Sequence, residues 1–200
     1  MSVKIGEIIE AGTAEFLAQC YELHRPPSLG SLVKTREEET EIIAVVYHAA
    51  TTSIEPGRRP VALGMGEMRE EDIYNQNPQL SKLLRTDFKA LVVGHKSCDE
   101  MEGRENRVRY YLPPRPARVH AFVYLCEADE TKTFSRSLDF LSILVNTNVQ
   151  VKDELIAACL RHISSVHDES DAFLVRAGKE LALLLGGEVQ RLNTLLRRLR

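Results

Sequence analysis

Residues 40–50 read TEIIAVVYHAA. Ile42, Ile43, Val45 and Val46 are β-branched, and such side chains fit a pleated, half-buried surface better than a helix. The run is the most β-rich in the chain and predicts a strand. The acidic block Glu37-Glu38-Glu39 before it marks a turn. Further back, residues 31–34 form a short strand behind Arg25-Pro26-Pro27-Ser28-Leu29-Gly30. That stretch is a loop, because two prolines cannot donate to a ladder and Gly30 can take positive φ. Residues 3–10 (VKIGEIIE) and 15–21 (EFLAQCY) are two more extended segments, separated by the turn Gly12-Thr13-Ala14. Strands this short and closely spaced predict a small barrel or sandwich. Closing the barrel would remove the unpaired edges of so short a sheet.

Forward from the same run, residues 57–66 are a Gly/Pro/Arg-rich loop. Residues 78–86 (PQLSKLLRT) predict a short helix with Pro78 in its first turn and Asn77 as N-cap. Residues 88–94 predict a strand, 96–107 a charged exposed loop, and 108–112 a strand that stops at Pro113-Pro114. Residues 118–126 alternate Val119, Ala121, Val123, Leu125 against Arg118, His120, Phe122, Tyr124, as a strand with two unlike faces does. After Asp129 the period lengthens. Phe134, Leu138, Leu141 and Val145 share one helix face, and Val151, Leu155, Cys159 and Ile163 another. From about Asp171 a helix runs to the C-terminus, with a kink expected near Gly186. The fold class is therefore α+β: a small closed N-terminal β-barrel with additional strands, then a helical part. The division falls at residues 1–126 and 127–200.

Composition narrows the class. The chain has 200 residues and is 44% apolar, too rich in core formers to stay disordered. Four cysteines are too few for a disulfide scaffold, and no apolar run is long enough to span a bilayer. No secretory h-region is visible, so the cytoplasm, with reduced thiols, is the expected location. A net charge of −3 argues against a dedicated nucleic-acid binder without excluding a local basic patch.

Several segments, in order, resemble a known family. They are Ile5-Gly6-Glu7-Ile8-Ile9, Gly12-Thr13-Ala14-Glu15-Phe16, Pro27-Ser28-Leu29-Gly30-Ser31-Leu32-Val33 and Ile43-Ala44-Val45-Val46. This order resembles the HAS barrel, the small β-barrel at the N-terminus of HerA-type DNA-translocating ATPases. That barrel is related to the N-terminal barrel of rotary ATP synthase catalytic-ring subunits. Leu83-Leu84-Arg85, Ala90-Leu91-Val92-Val93-Gly94, Tyr111-Leu112-Pro113-Pro114-Arg115-Pro116 and Val119-His120-Ala121 look like the stretch that links barrel to ATPase. The resemblance covers residues 3–126. A Walker A loop, G-x-x-x-x-G-K-[ST], should follow. The candidate Gly178-Lys179 has Phe173 where the first Gly belongs and Glu180 where the hydroxyl belongs. The chain thus resembles the docking part of such machines without the motor.

Other constellations are weaker. His95 and Cys98 have H-x₂-C spacing, and His162 and His167 are neighbours, but zinc wants four convergent ligands. No metal and no cofactor is expected. Cys20, Cys126 and Cys159 fall on apolar periods and read as core. No nucleophile elbow is present, and the paired acids Glu70-Glu71-Asp72 and Asp99-Glu100 read as solvated loops. The strongest polar cluster is Arg104, Arg107, Arg109, Arg115 and Arg118, interleaved with Tyr110 and Tyr111. Guanidinium forks suit phosphates and tyrosines can stack on bases. The alternative is an Arg-rich barrel edge paired with Glu102, Glu105 and the acidic turn. The leucine seam Leu174, Leu181, Leu185, Leu192, Leu195 and Leu199 either packs on the chain's own helices or serves association.

By that resemblance the expected function is a non-enzymatic interaction module that docks on a partner protein or on a second copy of itself. The barrel's exposed edge and residues 96–107 would carry the contact. The rivals are a nucleic-acid-binding accessory factor using the Arg/Tyr stretch, and an enzyme whose site is scattered through the sequence. No membrane partner is expected.

Overall fold

The computed structural model describes residues 3–55, 57–66, 69–97 and 107–199. Six strands form one closed barrel: β1 (Lys4–Ala11), β2 (Glu15–Cys20), β3 (Leu32–Glu37), β4 (Thr40–Ser53), β5 (Leu84–Ser97) and β6 (Phe122–Leu125). Their order around the barrel is β1-β2-β5-β4-β3-β6, with every pairing antiparallel. β6 closes the barrel by pairing with both β1 and β3. Within the barrel each strand is paired on both sides, whereas the far ends of β4 and β5, residues 48–53 and 84–86, pair only with each other and keep open edges.

The run at residues 40–50 explains itself in this setting. Ile42, Ala44 and Val46 point into the barrel with Ile8, Phe16, Val33, Phe88, Ala90, Val92 and Val123. Ile43 and Val45 point out, with Leu32, Leu91 and Val93, into a second core shared with the helices. Strand β4 is buried on both faces here, which is why five apolar residues stand in succession rather than alternating with polar ones. Each fully buried Ile, Leu or Phe contributes roughly 1.5–3 kcal/mol. The barrel is therefore held from inside and along one outer wall.

The helices are α1 (Glu70–Gln76), α2 (Leu80–Leu83), α3 (Ala128–Phe134), α4 (Phe140–Asn146), α5 (Lys152–Ser164), α6 (Ser170–Leu184) and α7 (Val189–Arg198). The last five carry the helical share of the outer core, including Phe140, Leu144, Leu155, Ile156, Leu160, Phe173, Leu181 and Leu195. Gly30 fixes how closely the barrel meets α5. Its φ is +82°, and a Cβ there would lie 2.4 Å from the Cys159 backbone nitrogen. The leucine seam packs on the chain's own helices: Leu181, Leu185, Leu195 and Leu199 are buried, with Leu174 and Leu192 packed against them.

Several boundaries differ from expectation. Residues 134–145 are two helices rather than one. Ser135 caps α3, its hydroxyl donating to the Thr131 carbonyl at 2.8 Å, and the chain turns before α4. The four predicted face residues are nonetheless buried. The C-terminal helix is not kinked but broken, with Gly186 at φ +31° and Gly187 at +106° between α6 and α7. The helix at 78–86 shrinks to α2, because Leu84–Thr86 are claimed by pairing with Thr51–Ser53. Asn77 is the C-cap of α1, a helix with no apolar period to reveal it, and its side chain donates to the Ile73 carbonyl at 2.9 Å. The strand at 108–112 is reduced to one bridge, Arg109 to His95. Residues 118–121 turn, with His120 at φ 70°, so the last strand starts only at Phe122.

Candidate interaction surface

The predicted Arg/Tyr cluster does not stay together. Arg104 lies outside the described residues. Arg107 and Arg109 are exposed, and neither makes an ion pair with a described residue. Arg115 pairs with Glu38 at 3.4 Å, and Arg118 with Glu37 at 2.9 Å and Glu38 at 3.2 Å. The hydrogen bond from Arg118 to Glu37 raises the Arg118 pKa further above its ordinary value. The acidic turn between β3 and β4 thus neutralises two of the arginines. Tyr110 turns inward, its hydroxyl donating to the Phe134 carbonyl at 2.6 Å. Tyr111 is exposed but sits edge-on to His95, with ring centroids 5.2 Å apart. His95 is itself buried, its Nδ1 3.1 Å from the Tyr111 carbonyl. Gly94 permits this crossing, since a Cβ there would be 2.7 Å from the Arg109 carbonyl oxygen.

The barrel has a second, different wall. The outer core takes its fully buried barrel residues from β3, β4 and β5. On β1, β2 and β6 the outward side chains include Lys4, Glu7, Phe122 and Tyr124, with Tyr21 just beyond β2. In register, Glu7 faces Phe122 and Lys4 faces Tyr124. Tyr21 is 49% exposed and Phe122 46%, high values for rings on an ordered barrel. The Lys4 ammonium lies between them, 4.3 Å from the Phe122 ring centre and 5.2 Å from that of Tyr21. Below it, Glu7 accepts from the Tyr21 hydroxyl at 3.3 Å and holds His120 Nδ1 at 2.5 Å. The His120 bond lowers the Glu7 pKa most, against a smaller opposing effect of desolvation. The sequence pattern had placed Phe122 and Tyr124 on the polar face of their strand. Only barrel closure brings Tyr21 and Lys4 beside them.

A cleft of about 270 Å³ opens where α3 meets the start of β4 and the end of β5. Ile43, Val108, Cys126 and Phe134 form its floor, and Glu41, Lys96, Asp129, Glu130 and Thr133 its rim. Beside it, Lys34 bonds Glu130 and also lies 4.0 Å from Glu41, which holds Lys96 at 2.8 Å. Burial alone would lower the Lys34 pKa, but Glu130 and Glu41 outweigh it and raise it. Glu130 also receives the Glu127 backbone N–H at 2.9 Å, closing a capping box on α3.

Burial pushes the Cys20 thiol up to about 11 and the Cys126 and Cys159 thiols up to about 12, so none is a ready nucleophile. Cys98 lies outside the described residues. His167 is tied to Ser135 at 2.8 Å and stacks on Phe173 with ring centroids 4.7 Å apart. Among the described residues no group of three or more His, Cys, Asp or Glu is arranged to hold a metal ion. Gly178 and Lys179 lie within α6 rather than in a strand-to-helix loop. No described helix is long and apolar enough to cross a membrane.

No family model matches the chain, and no curated protein is similar to it in sequence.

Proposed function

We propose that this chain is a non-enzymatic protein-interaction module, with a barrel of the HAS type, that docks a protein partner or a second copy through the wall of β1, β2 and β6. The observation that carries this reading is the exposed pair Tyr21 and Phe122 framing the Lys4 ammonium. Exposed aromatic rings fixed on rigid strands supply large contact area at small entropic cost, and they are enriched among residues that dominate binding. The charge around them is balanced: Glu7 accompanies Lys4, and Glu37 and Glu38 accompany Arg115 and Arg118. Such a surface suits a protein better than a polyphosphate, which wants cations in excess.

The test compares the native chain with a Tyr21→Ser/Phe122→Ser double variant, both immobilised against native lysate. A protein captured reproducibly by the native chain and lost from the double variant, with unchanged thermal melting, is the expected result. Equal capture by both, or binding only to nucleic acid that falls steeply with salt and needs Arg107 and Arg109, overturns the reading.

A further inference from the structure

Strands β4 and β5 are each 14 residues long and pair along their whole length, from Thr40 with Ser97 to Ser53 with Leu84. Their two ends carry unlike features. At one end Glu41 and Lys96 border the cleft described above. At the other end the hairpin runs past β2 as an arm, whose tip holds the segment between Ile54 and α1.

The tip is the most apolar exposed stretch of the described chain. Ile54, Val61, Leu63 and Met65 are all exposed, Met65 completely. Val61 and Leu63 are two residues apart in a stretch with no helix or turn, and Met65 opens the turn that follows. The tip is braced rather than free: Gly64 sits against Ile73 of α1, where a Cβ would lie 2.6 Å from the isoleucine Cδ1. Arg59 and Arg69 flank it, exposed and without an ion pair to a described residue.

The cleft has the complementary chemistry. Its floor is apolar, and at about 270 Å³ it lies just below the ~300–1,000 Å³ typical of sites for drug-sized molecules. Its scale is that of one or two apolar side chains. Asp129 on its rim is exposed and pairs with no described cation. From Glu41 to Ser53 the strand covers about 40 Å at the usual rise. A chain therefore cannot place its own arm tip in its own cleft, but a neighbour can.

We infer that the chain associates head to tail: the arm tip of one copy, with Leu63 at its centre, seats in the cleft of the next, and Arg59 or Arg69 meets Asp129. The contact is heterologous, so each copy keeps one free arm and one free cleft until a ring closes or a filament grows. It uses neither Tyr21 nor Phe122 and stands apart from the wall proposed above.

Light scattering coupled to size exclusion, over a range of concentrations and in two half-disabled variants, tests it. Leu63→Asp disables the arm and Thr133→Trp plugs the cleft; both positions are exposed. The native chain should grow in mass with concentration in steps of 22.6 kDa. Each variant alone should stay monomeric, with the dissociation constant raised at least about tenfold. Mixed one to one, the two should form a dimer that grows no further, because one good arm meets one good cleft. A charge pair gives a second reading: Arg59→Glu/Arg69→Glu and Asp129→Arg should each weaken association, and their mixture should restore it. A native chain monomeric to about millimolar concentration overturns the inference. So does association that either single variant leaves intact, or that Tyr21→Ser/Phe122→Ser removes instead.

Discussion

Replacing Gly30 by Ala tests the closest approach between barrel and helices. Two costs combine at this position. A φ of +82° places an alanine in the left-handed region, at about 1–2 kcal/mol. The new Cβ would also lie 2.4 Å from Cys159 N and 2.5 Å from the Ala158 carbonyl carbon. Both are backbone atoms of a buried helix, so no side chain can swing aside and α5 or the loop must shift. Overpacking of this kind costs about 1–3 kcal/mol. The total is about 3 kcal/mol, a fall in Tm of about 10 °C for a chain of this size. Gly57 supplies the control. Its φ is +80°, nearly the same, yet nothing lies within 4 Å of a Cβ there. Gly57→Ala should therefore cost only the conformational part, about 1 kcal/mol. Urea unfolding followed by circular dichroism measures both, with the slope checked for constancy. If the two variants lose the same stability within about 0.5 kcal/mol, Gly30 does not touch α5 and the described docking of helices on the barrel is wrong.

Three further outcomes are expected. Lys34→Ala should destabilise by on the order of 2 kcal/mol, since it leaves Glu130 and Glu41 without their largely buried cation, whereas Arg25→Ala, at an exposed pair with Glu22, should change stability by less than about 1 kcal/mol in the same urea experiment. His162 and His167 both have pKa values lowered by burial, with Arg176 and Lys132 adding to the effect at His167. Because the folded state binds these protons more weakly than the unfolded chain, stability is complete above the unfolded value near 6.5 and declines as pH falls below it. His167→Gln should flatten that decline in melts taken between pH 7 and 5, and an unchanged slope would contradict the assignment. In a Cys98→Ser background, Cys20, Cys126 and Cys159 should react with an aromatic disulfide reagent at pH 8 only on unfolding; rapid labelling of any of them in the native protein would show that burial does not hold the thiols up.

Parts of the fold were legible for specific reasons. The β-branched run at 42–46 and the segments around Ile8, Phe16 and Phe88 announce strands because local preference and burial agree there. The arm was not legible. Residues 48–53 are small or polar and mostly exposed, and Leu83-Leu84-Arg85-Thr86 suits a helix as well as a strand, so only the pairing of the two halves decides. Helix α1 has no buried residue and hence no apolar stripe. For the predicted Arg/Tyr stretch the sequence left two readings open, and the pairing of Arg115 and Arg118 with Glu37 and Glu38 of the acidic turn, some eighty positions away, follows the alternative of a barrel edge paired with acids. Tyr110 was indistinguishable in sequence from Tyr111, although one bonds the end of α3 and the other faces solvent.

The sequence alone settles the broad order: a part rich in strands up to residue 126, amphipathic helices after it, and a leucine seam that must be covered. Local sterics and periodicity act over a few residues, so they can be read a few residues at a time. It cannot settle which segments meet. Closure by a four-residue β6 and the meeting of Lys4 with Phe122 depend on contacts between positions more than a hundred residues apart, and burial of β4 on both faces depends on helices that come long after it in the chain. Those contacts form because a sheet must pair its edges and cover its apolar faces, and only the assembled chain shows which face is left bare.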